Sequence, residues 1–177
     1  MSNTLEISIT KVNIKTLTQL AILLSIAILA PLIHYQPSVG PTVNAALFIA
    51  TGILGIRYGV LVALIPSPIA LMAGLLPSPL APMVPFIMIS NVILVYTFGK
   101  LWNKNYWQAM VSASVLKFLF LWFTSSQLLE FFTKQAVAKN IATMMSWPQL
   151  FTALSGGLIA YGVLRYLKLV NKPSKLE

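Results

Sequence analysis

Six long apolar stretches follow one another along the chain, separated by short polar or Pro/Gly-rich segments. A helix that crosses the hydrocarbon core of a bilayer needs about 20 mainly apolar residues. The pattern therefore predicts an all-α integral membrane protein, folded as a single six-helix domain over residues 1–177. The predicted transmembrane spans, numbered one to six, are approximately 17–35, 42–56, 58–76, 84–101, 106–126 and 147–167.

Composition supports a membrane protein and excludes two other classes. Hydrophobic residues make up 58% of the chain and charged residues only 8%, whereas soluble domains carry about 25% charged residues. Disordered chains are poor in apolar residues, so disorder is excluded as well. The polar stretch before span one is long and no small-residue cleavage site ends that span, so we predict no cleaved signal peptide.

The basic residues predict how the helices are oriented. The chain has 12 Lys and Arg residues but only three acidic residues, and its net charge is +9. If the N-terminus is cytoplasmic, two basic residues lie in an outer loop (Lys134 and Lys139) and one lies within a span (Lys117). The other nine lie in cytoplasmic segments: Lys11, Lys15, Arg57, Lys100, Lys104, Arg165, Lys168, Lys172 and Lys175. Cytoplasmic loops are enriched in Lys and Arg, so we predict that both termini are cytoplasmic and that the chain has no nucleic-acid partner.

Few residue types suited to catalysis are present. The chain has no cysteine, no aspartate and a single histidine, and its glutamates, Glu6, Glu130 and Glu177, lie outside the predicted spans. Metal sites, catalytic triads and carboxylate pairs therefore lack their usual groups, and the nucleotide-binding pattern G-x-x-x-x-G-K-[ST] is missing. We predict no cofactor, no metal and no enzymatic activity. Ion-driven carriers usually place acids within the membrane, so a partner would have to supply energy for uphill transport.

Lys117 is the one charged residue in the interior of a predicted span, away from its ends. It lies nine residues before Ser126, at the outer end of span five, which corresponds to a depth of about 13 Å. A charge at such a depth costs at least about 2.5 kcal/mol on insertion scales. Two interpretations remain open: Lys117 extends to the interface or pairs with Glu130, or it contacts a carboxylate, phosphate or carbonyl group of a ligand.

Other polar residues lie at a similar depth. Asn91 belongs to span four, and Thr152 and Ser155 belong to span six. Ordinary hydrogen bonds between helices, worth about 0.6 kcal/mol each, would explain any one of them. Their convergence with Lys117 favours a substrate pocket between spans four to six. Asn44, just inside span two, is interpreted as a helix cap.

Aromatic and polar residues at the outer boundary are further candidates. His34, Tyr35 and Gln36 lie where span one meets the first outer loop, which is placed to close over such a pocket. Tyr and Trp are also enriched at membrane interfaces, so His34 and Tyr35 can equally be interfacial anchors. Trp122 and Trp147 fit either an outer aromatic belt or a surface on which a ligand ring stacks.

The chain resembles the substrate-binding S component of an energy-coupling-factor (ECF) transporter. The resemblance covers residues 10–170 and is carried by the six spans, the missing energy-coupling motif and the run GPTVNAALFIATGILGIRYGVLVALIPSPIALMAGLLPSPLAPMVPFIMISN at 40–91. It implies capture of a vitamin, vitamin precursor or similar micronutrient in the cell membrane of a prokaryote. The pocket would lie on the outer side between helices four to six, under the loop that follows helix one.

The resemblance also implies partners. A transmembrane T component and two ABC-type ATPase subunits would drive uptake, and a small-xxx-small motif in helix one would dock the T component. The best match here is Ala21-xxx-Ser25, although such spacings also serve packing within a bundle. Two alternatives remain: an accessory subunit of a small membrane enzyme, and a membrane assembly or structural protein.

Overall fold

The protein is described by a computed structural model that covers residues 13–33, 36–76, 78–132 and 141–170. Over these ranges the chain is helical and contains no β-strand. The α-helices are α1 (Ile14–Leu29), α2 (Gln36–Leu54), α3 (Ile56–Leu64), α4 (Pro66–Met72), α5 (Val84–Leu101), α6 (Tyr106–Phe132) and α7 (Trp147–Tyr166). Short 3₁₀ helices cover Ala30–Ile33 and Ser78–Met83.

The helices form six segments in the order that the apolar pattern predicts, with α3 and α4 together forming the third. Three described stretches are long and apolar enough to cross a membrane: Ile14–Ile33, Leu80–Leu101 and Tyr106–Gln127. Two shorter apolar stretches are Ser38–Leu54 and Ile56–Met72. Large apolar side chains are exposed on the outer faces of the bundle, as lipid contact requires; examples are Leu17, Leu116, Phe123 and Leu158. The single domain over 1–177 stays a prediction.

Helix α2 begins earlier than predicted. Residues 36–41 were expected to form a loop, but the helix begins at Gln36 and contains Pro41. Pro41 is the sixth residue of α2, beyond the first four N–H groups that have no partner within a helix, so it removes one main-chain hydrogen bond from the helix. Because α2 begins at Gln36, Asn44 lies two turns inside α2, and its interpretation as a helix cap is wrong.

The third segment is broken where one continuous span, 58–76, was predicted. Pro66 has no N–H group to continue the hydrogen bonding of α3, so α3 ends at Leu64 and α4 begins at Pro66. The chain then turns at Gly74, whose φ of 68° favours glycine. The main-chain N–H groups of Leu75 and Leu76 both donate to the carbonyl oxygen of Ala70. The segment therefore ends near residue 72, and the following turn lies against the inside of the bundle.

Helix α2 lies at the centre of the bundle. Its Leu47 and Phe48 are fully buried, and the ring of Phe48 meets that of Phe98 edge to face at a centroid distance of 4.8 Å. It approaches α7 closely at Gly156, where an added Cβ would lie 2.6 Å from Asn44 Cβ and 2.8 Å from the main-chain nitrogen of Ala45. A glycine is needed there because any side chain would separate the two helices.

The two ends of the bundle differ in charge. At one end of the bundle, α1, α3 and α6 begin and α7 ends. Six exposed basic residues of the described chain lie at this end: Lys15, Arg57, Lys100, Lys104, Arg165 and Lys168. At the opposite end α2, α5 and α7 begin and α6 ends. We call the latter the cavity end, because the cavity described below lies there.

Candidate functional site

A cavity of about 850 Å³ lies at the cavity end of the bundle. Most of its wall is apolar, and it is formed by all seven helices except α3, together with the turn after α4 and residues 144–145. Small-molecule sites commonly have volumes of about 300–1,000 Å³, so the space suits a solute of vitamin size. Its polar lining residues are Asn44, Ser67, Asn91, Lys117, Gln149, Thr152 and Ser155.

Lys117 provides the one charged side chain among the lining residues. Only 3% of its surface is exposed. Its Nζ donates hydrogen bonds to Oδ1 of Asn44 at 2.6 Å and to Oδ1 of Asn91 at 2.7 Å. An ammonium group has three N–H donors, and the described residues provide acceptors for two. One donor is therefore left for a group within the cavity.

The two asparagines hold Lys117 in place and are themselves held by the bundle. Asn44 donates through Nδ2 to Oγ1 of Thr152 at 3.4 Å, and Asn91 donates through Nδ2 to the carbonyl oxygen of Ala63 at 3.5 Å. These bonds fix the direction of each amide, with both oxygens facing the lysine. The resulting network joins α2, α3, α5, α6 and α7, and it positions Nζ of Lys117 at the wall of the cavity.

Helix geometry explains why these residues meet. Asn44 lies eight residues after the start of α2, Asn91 seven after the start of α5 and Thr152 five after the start of α7. At a rise of about 1.5 Å per residue, they lie about 8–12 Å from the helix ends. Lys117 reaches the same depth from α6, which runs in the opposite direction.

The cavity brings together four of the residues that the sequence singles out: Lys117, Asn91, Thr152 and Ser155. His34 and Tyr35 lie outside the described residues. Gln36 is the first residue of α2, and its side chain lies outside the described part of the chain. The same holds for the side chain of Glu130, so pairing between Glu130 and Lys117 is not described either.

Neither Trp122 nor Trp147 is among the described residues that line the cavity, so their role in binding stays a prediction. Trp122 is 50% exposed and Trp147 is 63% exposed, and the ring of Trp147 stacks on that of Phe118 at 5.3 Å. Trp122 lies five residues from Lys117, which places it about 140° around α6 from the lining residue of that helix.

Asn44 lines the cavity, where the sequence predicted only a helix cap. Asn44 is 2% exposed and binds both Lys117 and Thr152. Its assignment as a cap depended on a helix start near residue 42, whereas α2 begins at Gln36. An asparagine two turns inside an apolar span is an expensive polar group, so an earlier helix start would have revealed it.

Ala21 and Ser25 lie on the exposed face of α1, away from the cavity. They line a shallow groove together with Thr18, Ile22 and Leu29. Ile14–Ile33 is the least buried of the three long apolar stretches: only 22% of an 18-residue segment within it is buried inside the described bundle.

Ser114 lies one helical turn before Lys117, and its hydroxyl is fully buried without a hydrogen-bond partner among the described residues. Replacing an unpaired buried polar group by an apolar one is nearly neutral or stabilising. We expect Ser114→Ala to keep or slightly raise stability, by less than about 1 kcal/mol. Thermal unfolding in detergent measures this. A clear loss of stability would show that the hydroxyl has a partner, such as a bound water molecule.

The helices and the cavity define a class: a helical membrane protein that encloses a space for a solute. The family described as "ECF transporter, substrate-specific component" matches residues 15–167, and the chain belongs to this family. The resemblance to an S component is thereby confirmed. No curated protein and no solved structure matches the chain. S components are the substrate-binding subunits of a transport system and are not enzymes.

Proposed function

We propose that the chain captures a vitamin, vitamin precursor or similar micronutrient in the cavity and releases it only with the help of an ATP-driven partner. The observation that carries this proposal is the buried Lys117 side chain, whose Nζ is held by Asn44 and Asn91 at the wall of an 850 Å³ cavity. Two amide oxygens do not neutralise a buried charge, which is expensive unless a partner compensates it. A ligand group that accepts a hydrogen bond from Lys117 supplies that partner.

The cavity end faces the outside of a prokaryotic cell in this proposal, with both termini in the cytoplasm. The six exposed basic residues at the opposite end support this orientation, because cytoplasmic ends of membrane proteins are enriched in Lys and Arg. A solute would then reach the cavity from the outside. The start of α2 lines the cavity there through Val39, Gly40 and Pro41.

Energy for release comes from partners in this proposal. Membership of the ECF family implies association with a T component and two ABC-type ATPase subunits. The test is affinity capture of the full chain from its own membranes in a mild detergent, followed by mass spectrometry and an ATPase assay. We expect the T component and ATPases to be recovered and the isolated chain to hydrolyse no ATP. Consistent absence of ATPases from the captured material would contradict the proposal.

The exposed face of α1 is the proposed docking surface for the T component, because its small residues permit close helix approach. We expect Ala21→Trp or Ser25→Trp to lower ATPase recovery by about tenfold, which corresponds to about 1.4 kcal/mol. Val115→Trp, at an exposed position of α6, is the matched control and should leave recovery unchanged. Equal recovery with all three variants would show that docking uses another surface.

A further inference from the structure

The cavity is chemically asymmetric. Lys117, Asn44 and Asn91 form one polar cluster in its wall. Elsewhere the lining is mostly apolar and includes Val39, Leu76, Leu80, Ile87, Met144 and Met145. Among the described residues that line the cavity, none is acidic and none besides Lys117 is basic.

The hydrogen-bond count indicates the charge of the group that Lys117 binds. A neutral amine has two N–H groups, and Asn44 and Asn91 would use both. An ammonium group has a third, and a single anionic oxygen accepting it would satisfy every donor and neutralise the charge. A neutral carbonyl would accept the same hydrogen bond but would leave the buried positive charge uncompensated.

The rest of the lining limits the charge further. The described lining provides no cation for a second negative charge on the ligand and no acid for a positive charge near Lys117. Both are costly in an apolar environment. A heavily hydroxylated ligand is disfavoured because each buried hydroxyl group needs a hydrogen-bond partner. Apart from the Lys117 cluster, most of the polar side chains that line the cavity lie on α7: Gln149, Thr152 and Ser155.

We propose that the substrate is an amphipathic monoanion, which seats one anionic group on Lys117 between Asn44 and Asn91 and lays an apolar body against the methionine- and leucine-rich wall. This inference rests on the proposed function, since it names the substrate class of the same cavity. It predicts that polyphosphorylated compounds, cations and polyols, for which the described lining lacks partners, are not the physiological ligand.

The test uses four compounds that share one aromatic body and differ in charge: 2-naphthoate, 2-naphthamide, 2-naphthylmethylamine and naphthalene-2,6-dicarboxylate. Each is titrated by calorimetry into the full chain in phosphatidylcholine nanodiscs, with empty nanodiscs as the partitioning control. We expect 2-naphthoate to bind at least about tenfold more tightly than the other three, because a hydrogen bond to a charged group contributes about 1.5–3 kcal/mol. Lys117→Met should abolish the preference, and Lys104→Met, at an exposed lysine of the opposite end, should retain it.

Several outcomes would overturn the inference: equal or tighter binding of the amine or the dicarboxylate, no measurable binding of 2-naphthoate, or a carboxylate preference that Lys117→Met retains. Identification of the solute that the chain carries from cells distinguishes failure of this inference from failure of the proposed function. A bound cation, polyanion or polyol would contradict the substrate class and leave solute capture intact. A chain that carries no solute and recovers no ATPases would contradict both.

Discussion

Lys117→Met is expected to weaken binding of the captured solute by about 10- to 100-fold, because it removes a charge-assisted hydrogen bond worth about 1.5–3 kcal/mol. Methionine is similar in length and apolar, so the change removes the charge with little change in volume. The bundle should still fold, since removing a charge from a span lowers its insertion cost by at least about 2.5 kcal/mol. Calorimetric titration with the solute identified from the wild-type chain measures the effect.

The matched control for this prediction is Lys104→Met, which makes the same change at an exposed position between α5 and α6. It should bind the solute as the wild type does. Ser114→Ala, one turn from Lys117 on α6, controls for disturbance of the helix itself. If Lys117→Met and Lys104→Met bind equally well, Lys117 is not a contact of the ligand, and its two asparagine bonds serve only to hold the helices together.

Gly156→Ala is expected to destabilise the bundle by about 1–3 kcal/mol, the usual cost of overpacking. The added Cβ would lie 2.8 Å from both the main-chain nitrogen of Ala45 and the carbonyl oxygen of Pro41. Since these are backbone atoms, α2 and α7 must move apart. Asn44 lies on α2 and bonds to Thr152 of α7, so solute binding should weaken as well. The midpoint of thermal unfolding in detergent measures the change in stability.

Gly162→Ala is the matched control on the same helix, because an added Cβ there meets nothing within 4 Å. Alanine is favoured over glycine within a helix by about 1 kcal/mol, so this variant should be as stable as the wild type or more so. Similar destabilisation by both variants would contradict this prediction, because it would show that the loss does not arise from the close α2–α7 contact at Gly156.

The sequence predicted the helices best where span ends carry clear signals. The fourth span, 84–101, coincides with α5, and the fifth begins at Tyr106 as α6 does. Pro85 lies in the first turn of α5, where its missing N–H has no consequence. Residues 102–105 form a polar turn before α6. Residue number gave the depth of Asn91 and Thr152, because α5 and α7 begin where their spans were predicted to begin. The depth of Lys117 was counted from Ser126, whereas α6 continues to Phe132.

The direction in which side chains point was harder to predict. Which face of a helix meets its neighbours depends on packing, so the apolar pattern did not exclude Trp122 from the pocket, although it lies about 140° around α6 from Lys117. In the Pro-rich segments the pattern was ambiguous. Pro41 is accommodated inside α2 whereas Pro66 separates α3 from α4, and only the position of each proline relative to the helix start distinguishes them.

Native mass spectrometry of the full chain, extracted from cells in mild detergent, tests solute capture most directly. The wild type and Lys104→Met should each carry one non-covalently bound small molecule per chain, released on activation in the gas phase and identified by its fragments. Lys117→Met, extracted in the same way, should be largely free of it. A folded wild-type chain that carries only lipid and detergent, even after incubation with a metabolite extract, would contradict capture in this cavity, as would a bound solute that Lys117→Met retains in full.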